Sequence, residues 1–258
     1  MKKRLLFYLL LSCLCLFATS GFSQGWLSVG NSGSDLIYIN EVTEFNGDMF
    51  AAGRKWNGIS GDGAVYSPMV FKLTGNTWTE FGSGFVSSAI DAGASLRVEA
   101  IVEFNSELYV GGNFSMNNGT DPQFLYVAKW DNTNSRWVPV GDGTGYKSGS
   151  TSSVIKELTV FNGNLYAGGD FDDLGLAGTN NIAIWDGTSW APVGTGISTG
   201  ASINYSEPDQ VTSMVVFNGE LIVGGKFSTA GDILVHNIAK WDGTKWAYLV
   251  GLPIEGGG

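Results

Sequence analysis

Cysteine is all but missing from this 258-residue chain, and the two present, Cys13 and Cys15, both lie close to the amino terminus. The body of the chain therefore has no disulfide framework and no thiolate chemistry, and packing alone must hold it together. Histidine is scarcer still, with His236 the single example. That excludes a closed zinc site and a Cys–His pair, and a Ser-His-Asp arrangement has no nucleophile motif to accompany it. Basic residues are few, 14 Lys and Arg against 24 Asp and Glu, so the field repels nucleic acid and anionic membranes. Proline numbers only 6, and no helical periodicity longer than a turn occurs after residue 24. Without helices there is no phosphate-cradling glycine loop, and glycine here means turns.

Long apolar runs are absent except at the start. Lys2, Lys3 and Arg4 precede an apolar stretch from Leu5 to Phe17, followed by the small residues Ala18-Thr19-Ser20. Residues 1–24 read as a secretory signal peptide, too short for a good membrane span, with cleavage between Ser20 and Gln24. Leu10-Leu11-Ser12-Cys13 only faintly echoes a lipoprotein signal, because apolar sequence continues past the cysteine. Removing Lys2, Lys3 and Arg4 leaves 11 basic residues against 24 acids, a net charge of −13 on the exported chain. With 38 glycines and 9 tryptophans, its composition is that of a turn-dense all-β protein.

What fills the rest is one pattern written four times, centred on Phe45, Phe104, Phe161 and Phe217 at spacings of 59, 57 and 56 residues. Each copy predicts four short strands, a to d. Strand a is an apolar alternation such as Val211 to Phe217, and Asn218-Gly219 supplies the two positive φ values of a type I′ hairpin. Strand b, Leu221-Ile222-Val223-Gly224-Gly225, is continuously apolar, and its glycines admit close backbone neighbours. Strand c carries Ile238-Ala239-Lys240-Trp241, and Asp242-Gly243-Thr244 turns the chain into strand d at Trp246. The period suits propeller blades, predicted near 36–82, 97–141, 153–194 and 210–251. Residues 25–30, Gly-Trp-Leu-Ser-Val-Gly, match strand d alone, an orphan that predicts an open or incomplete propeller, as a piece of a larger one or an arc closed by association.

Positions kept in every copy are read as scaffold. Trp78, Trp137, Trp190 and Trp246 recur at strand d and Trp130, Trp185 and Trp241 in strand c, so they are expected to pack copy against copy rather than form a binding ladder. The Asp-Gly-Thr-x-Trp turns at Asp186 and Asp242 superficially resemble the Asp-box of sialidases, one residue tighter. Gly111-Gly112, Gly168-Gly169 and Gly224-Gly225, each followed by an aromatic pair such as Trp185/Trp190, resemble the kelch-type β-propeller repeat. The longer signature, Gly-Gly-x-Phe and then Asn-Ile-Ala-Lys-Trp-Asp-Gly-Thr-x-Trp, is similar to repeats in secreted surface proteins of bacteria, notably those exported by type IX systems. The resemblance spans residues 26–251. It implies a fold and an exported or cell-surface location, but no particular activity. The first copy departs from it, with Ala52 for a glycine, Leu73 for the strand c Trp and Thr74 for the Asp.

Candidate ligand contacts are expected on the long b-to-c and d-to-a connections, which share one face. They offer Trp56, Tyr66, Tyr146 and Tyr205 for stacking, and Asp170, Asp172, Asp173, Glu207 and Asp209 as acids. This set suits a sugar or a cation. Asp170-Phe171-Asp172-Asp173 has the hard oxygens a Ca²⁺ ion needs but is not repeated in the other copies, so no cofactor is assigned. The reading is an exported, non-catalytic binding or adhesion module, with a glycan or protein ligand and open blade faces able to self-associate. The alternatives are a carbohydrate-active enzyme using two loop carboxylates, and an architectural repeat of a larger surface protein.

Overall fold

The turn chemistry predicted for each copy is what the computed structural model contains. It describes residues 37–60, 63–86, 96–117, 122–141, 154–172, 174, 178–198 and 210–249. The a-to-b turns carry positive φ at both central residues: Asn46 and Gly47, Asn105 and Ser106, Asn162 and Gly163, Asn218 and Gly219. That is the type I′ requirement, and it matches the right-handed twist of the strands on either side. Among these eight residues only Ser106 adopts positive φ with neither a glycine's freedom nor an amide side chain.

The described residues form an all-β unit of small antiparallel sheets. In copy one, β1 (Ile37–Phe45), β2 (Asp48–Ser60), β3 (Gly63–Thr74) and β4 (Thr77–Glu80) make a four-stranded meander. A two-residue strand β5 (Phe85–Val86) leads to copy two, whose strands are β6 (Arg97–Phe104), β7 (Glu107–Asn117), β8 (Pro122–Asp131) and β9 (Arg136–Pro139). Copy three comprises β10 (Val154–Phe161), β11 (Asn164–Asp170), β12 (Ile182–Trp185) and β13 (Trp190–Pro192), followed by β14 (Ile197–Ser198). Copy four has β15 (Gln210–Phe217), β16 (Glu220–Lys226), a small hairpin of β17 (Thr229–Ala230) and β18 (Ile233–Leu234), then β19 (Ile238–Trp241) and β20 (Trp246–Ala247). Among the described residues no helix is long and apolar enough to cross a membrane. The orphan strand read at 25–30 lies outside the described residues.

Copies stack in sequence order: β1 packs against β6, β6 against β10, and β10 against β15. The core lies between them in three clusters, each built from the same positions. The strand a phenylalanine of one copy meets three apolar residues of the next: Phe45 joins Val98, Ile101 and Leu108; Phe104 joins Ile155, Leu158 and Leu165; Phe161 joins Val211, Met214 and Leu221. The paired tryptophans face the preceding copy as well. Trp130 with Trp137, Trp185 with Trp190, and Trp241 with Trp246 sit at ring-centroid distances of 5.4, 5.2 and 5.2 Å. In each pair the strand d indole donates a hydrogen bond to the previous copy's chain, Trp137 to Phe81 O at 3.3 Å, Trp190 to Val140 O at 3.5 Å and Trp246 to Val193 O at 3.1 Å. These tryptophans are buried in a packing role and are not displayed as a ladder.

The double glycine has two separate causes. A Cβ on the first, Gly168, would lie 2.6 Å from Val211 Cγ1 of the next copy, whereas at Gly224 of the last copy the nearest atom is Ser213 Oγ of its own sheet at 3.2 Å. A Cβ on the second would run into the strand a backbone, Val154 O at Gly169 and Gln210 O at Gly225. That backbone bulges towards it.

The long b-to-c connections of copies one and two, residues 54–68 and 113–124, are for the most part extensions of the b–c hairpin. Trp56 pairs with Tyr66 and Phe114 with Leu125, and buried Phe114 and Met116 supply the apolar alternation that keeps the ladder going. The strand that leaves one copy then pairs with the b–c hairpin of the next. Phe85 lies opposite Met116 on β7, and Ile197 opposite Ala230 on β17. Such pairing covers backbone edges that would otherwise be exposed.

Candidate functional site

Every strand a carries one extra residue. The register slips between Ile39 and Glu41, Val98 and Ala100, Ile155 and Glu157, and Val211 and Ser213, leaving Asn40, Glu99, Lys156 and Thr212 as the bulged residues. A bulge bends the strand and re-aims its side chains, and the second glycine of strand b leaves room for it. Because β1, β6 and β10 are neighbours, three of these bulges converge. They line one open cavity of about 440 Å³ with Ile39, Asn40, Glu41, Glu99, Lys156 and Glu157. It lies near the start of strand a, at the end of the sheets where the d-to-a connections arrive.

Hydrogen bonds fix part of the lining. Asn40 Nδ2 donates to Val98 O at 2.7 Å, and the Ile101 amide donates to Glu41 Oε2 at 2.7 Å, so both side chains tie copy one to copy two. Arg97 Nε donates to Glu99 Oε1. Burial raises the pKa of Glu41, against the lowering effect of the Ile101 amide. Glu157 is pushed up to about 7, first by burial and then by the charge of Glu41, with a Thr159 hydrogen bond opposing. The two carboxyls thus share a cleft in which one is readily protonated near neutrality, while Lys156 supplies a single positive charge. Glu99 is paired with Arg97, so with Glu157 ionised the cleft holds one negative charge in excess, which suits a cationic or hydroxyl-rich guest. Among the described residues no three His, Cys, Asp or Glu side chains converge in a metal-binding arrangement.

The Glu157 shift has a sign that can be measured. Its folded-state pKa stands above the ordinary 4.5, so the native state holds a proton the unfolded chain releases. That contribution is complete below pH 4.5 and is lost as pH rises through 7. Urea midpoints of the native chain are expected to be lower at pH 8 than at pH 5 on this account. In Glu157→Gln the difference shrinks, and an undiminished difference would place the titration elsewhere.

The residues predicted from sequence are distributed differently. Trp56 and Tyr66 are cross-strand partners on β2 and β3, both half-buried. The Arg54 guanidinium carbon stands 4.2 Å from the Tyr66 ring centre and 4.9 Å from that of Tyr38, so this cation sits beside two rings of its own sheet that meet edge to face at 5.7 Å. Asp170 is buried at the end of β11, paired with Val154, and Asp172 is half-buried just beyond. Tyr146, Asp173, Tyr205, Glu207 and Asp209 lie outside the described residues. The carboxylates of the Asp-Gly-Thr turns are occupied by the turns themselves. Asp186 Oδ1 accepts from the amides of Thr188 and Ser189 and from Thr188 Oγ1, which holds its pKa down to about 2, and Asp242 repeats this with Thr244 and Lys245. The asparagine of the Asn-Ile-Ala signature is structural too: Asn181 Oδ1 accepts from the Phe171 amide, and its Nδ2 donates to Ile197 O.

Glu41 and Glu157 did not emerge from the sequence as site residues. Their signal was the variability of one strand a position, which reads Glu41, Ala100, Glu157 and Ser213 across the four copies. No protein-family model and no curated protein sequence matches the chain.

Proposed function

We propose that the four sheets are successive blades of a kelch-like β-propeller, that the chain is exported by its amino-terminal segment, and that it is a non-catalytic binding module. The observation that carries the binding role is the convergence of Asn40, Glu41, Glu99, Lys156 and Glu157 in one cavity at the bulges of three inner strands. Its volume of about 440 Å³ lies in the range of small-ligand sites. The recurrent tryptophans, glycines and turn aspartates are consumed by packing and capping, so selectivity falls to positions that differ between copies. With Glu157 ionised, the one negative charge the cleft holds beyond Lys156 and the Arg97–Glu99 pair favours a cationic group, and a lysine side chain presented by a protein partner fits that chemistry.

Calorimetric titration of a lysine-containing tripeptide tests this against its acetyl-lysine counterpart, whose charge is removed. Binding is expected for the lysine peptide alone, weaker below pH 7 where Glu157 is protonated, and lost in the Glu41→Gln/Glu157→Gln double variant. Equal heats for the two peptides would refute a cation-selective cleft. An enzymatic reading is favoured by one observation, two carboxyls in one cleft whose pKa values burial raises, that of Glu157 to about 7, as a general acid working near neutrality requires. Turnover on a glycan panel, abolished by Glu157→Gln, would replace binding with hydrolysis.

A further inference from the structure

The two ends of the stack carry the unfilled halves of one interface. In copies one to three the strand a phenylalanine is buried by the following copy, Phe45 at 6%, Phe104 at 2% and Phe161 at 3% exposure, yet Phe217 in copy four is 63% exposed with Val215 beside it at 58%. At the other end the asymmetry reverses. The three positions that receive that phenylalanine are buried in copies two to four, but in copy one they are Ile39, Val42 and Met49, exposed by 40%, 51% and 38%. One end thus presents the phenylalanine and the other its socket. Among the described residues no contact as extensive as those between successive copies joins β15 back to β1.

We infer that the exposed face of copy four docks on the exposed face of copy one of a second chain, head to tail, reproducing the interface the chain already builds three times internally. The occupant is set by that internal precedent. Each of the three interfaces buries one phenylalanine among three aliphatic or thioether side chains at fixed positions, and the end faces hold the same positions with the same apolar chemistry. Apolar surface of this kind is a docking signal when it is contiguous. Because the two surfaces differ, the contact is heterologous and adds copies in one direction, closing into a ring only if the rotation permits.

Sedimentation velocity across a wide concentration range tests this with the full chain. The wild type is expected to associate as concentration rises. Phe217→Asp, which spoils the donating face, and Val42→Asp, which spoils the receiving face, are each expected to remain monomeric, since a carboxylate there would have to be buried unpaired. Mixed together they should form a one-to-one heterodimer, because each variant keeps the face the other lacks. Both side chains are exposed, so circular dichroism and melting should be unchanged, and Val215→Asp provides a second donating-face variant. A wild type that stays monomeric throughout, variants that still self-associate, or a mixture no larger than its parts would each overturn the inference.

Discussion

Replacing Trp190 by alanine is expected to destabilise the chain by about 3–5 kcal/mol. The indole is buried and lies against Trp185 of its own sheet. It also bears on the previous copy: a Cβ built on Gly141 would stand 2.8 Å from the ring, and Nε1 reaches Val140 O at 3.5 Å. Truncation therefore opens a cavity between two sheets at once, and neither can relax without disturbing its own ladder. For a domain of this size each 1 kcal/mol moves the melting temperature by about 2–4 °C, so the shift should be roughly 6–20 °C downward. Thermal melts followed by circular dichroism read it directly. A shift near zero would mean that the indole is held out for a ligand instead of for the neighbouring copy.

Recurrence is why this scaffold could be read from sequence. Each copy solves one packing problem with the same residues, so Trp190 against Trp137 and Trp246, or Gly169 against Gly112 and Gly225, identify themselves by repetition. The a-to-b turns were legible for a local reason, since Asn-Gly is among the few pairs that take two positive φ values at little steric cost. The cleft was hidden by the bulges. One additional residue at Asn40 and at Lys156 breaks the two-residue alternation, so a count along strand a puts Glu41 and Glu157 in the wrong phase. The bulge itself left only an indirect trace, the second glycine, whose reason becomes visible once the carbonyl of Val154 is seen beside Gly169. Trp56 and Tyr66 misled differently: aromatic residues between two strands look like loop contacts, but here they lengthen the hairpin as a cross-strand pair.

The second large effect is a contrast between two chemically identical substitutions. Phe161→Ala and Phe217→Ala remove the same side chain from the same place in the repeat, at the end of strand a. Phe161 sits among Val211, Met214 and Leu221 of the following copy, and its loss is expected to cost about 3–5 kcal/mol. Phe217 is 63% exposed, and in dilute solution, with chains apart, its replacement should stay within about 0.5 kcal/mol of neutral. No difference in strand propensity or turn chemistry separates the two, because both precede an Asn-Gly turn of the same conformation. What separates them is whether another copy follows. The measurement that bears most directly on stacking of copy upon copy is therefore the pair of melting curves for these variants, recorded at low protein concentration. A drop of roughly 6–20 °C for Phe161→Ala beside an almost unchanged Phe217→Ala is the expected result. Equal losses at the two positions would contradict it, because the phenylalanine would then be stabilising its own sheet and not the junction with the next.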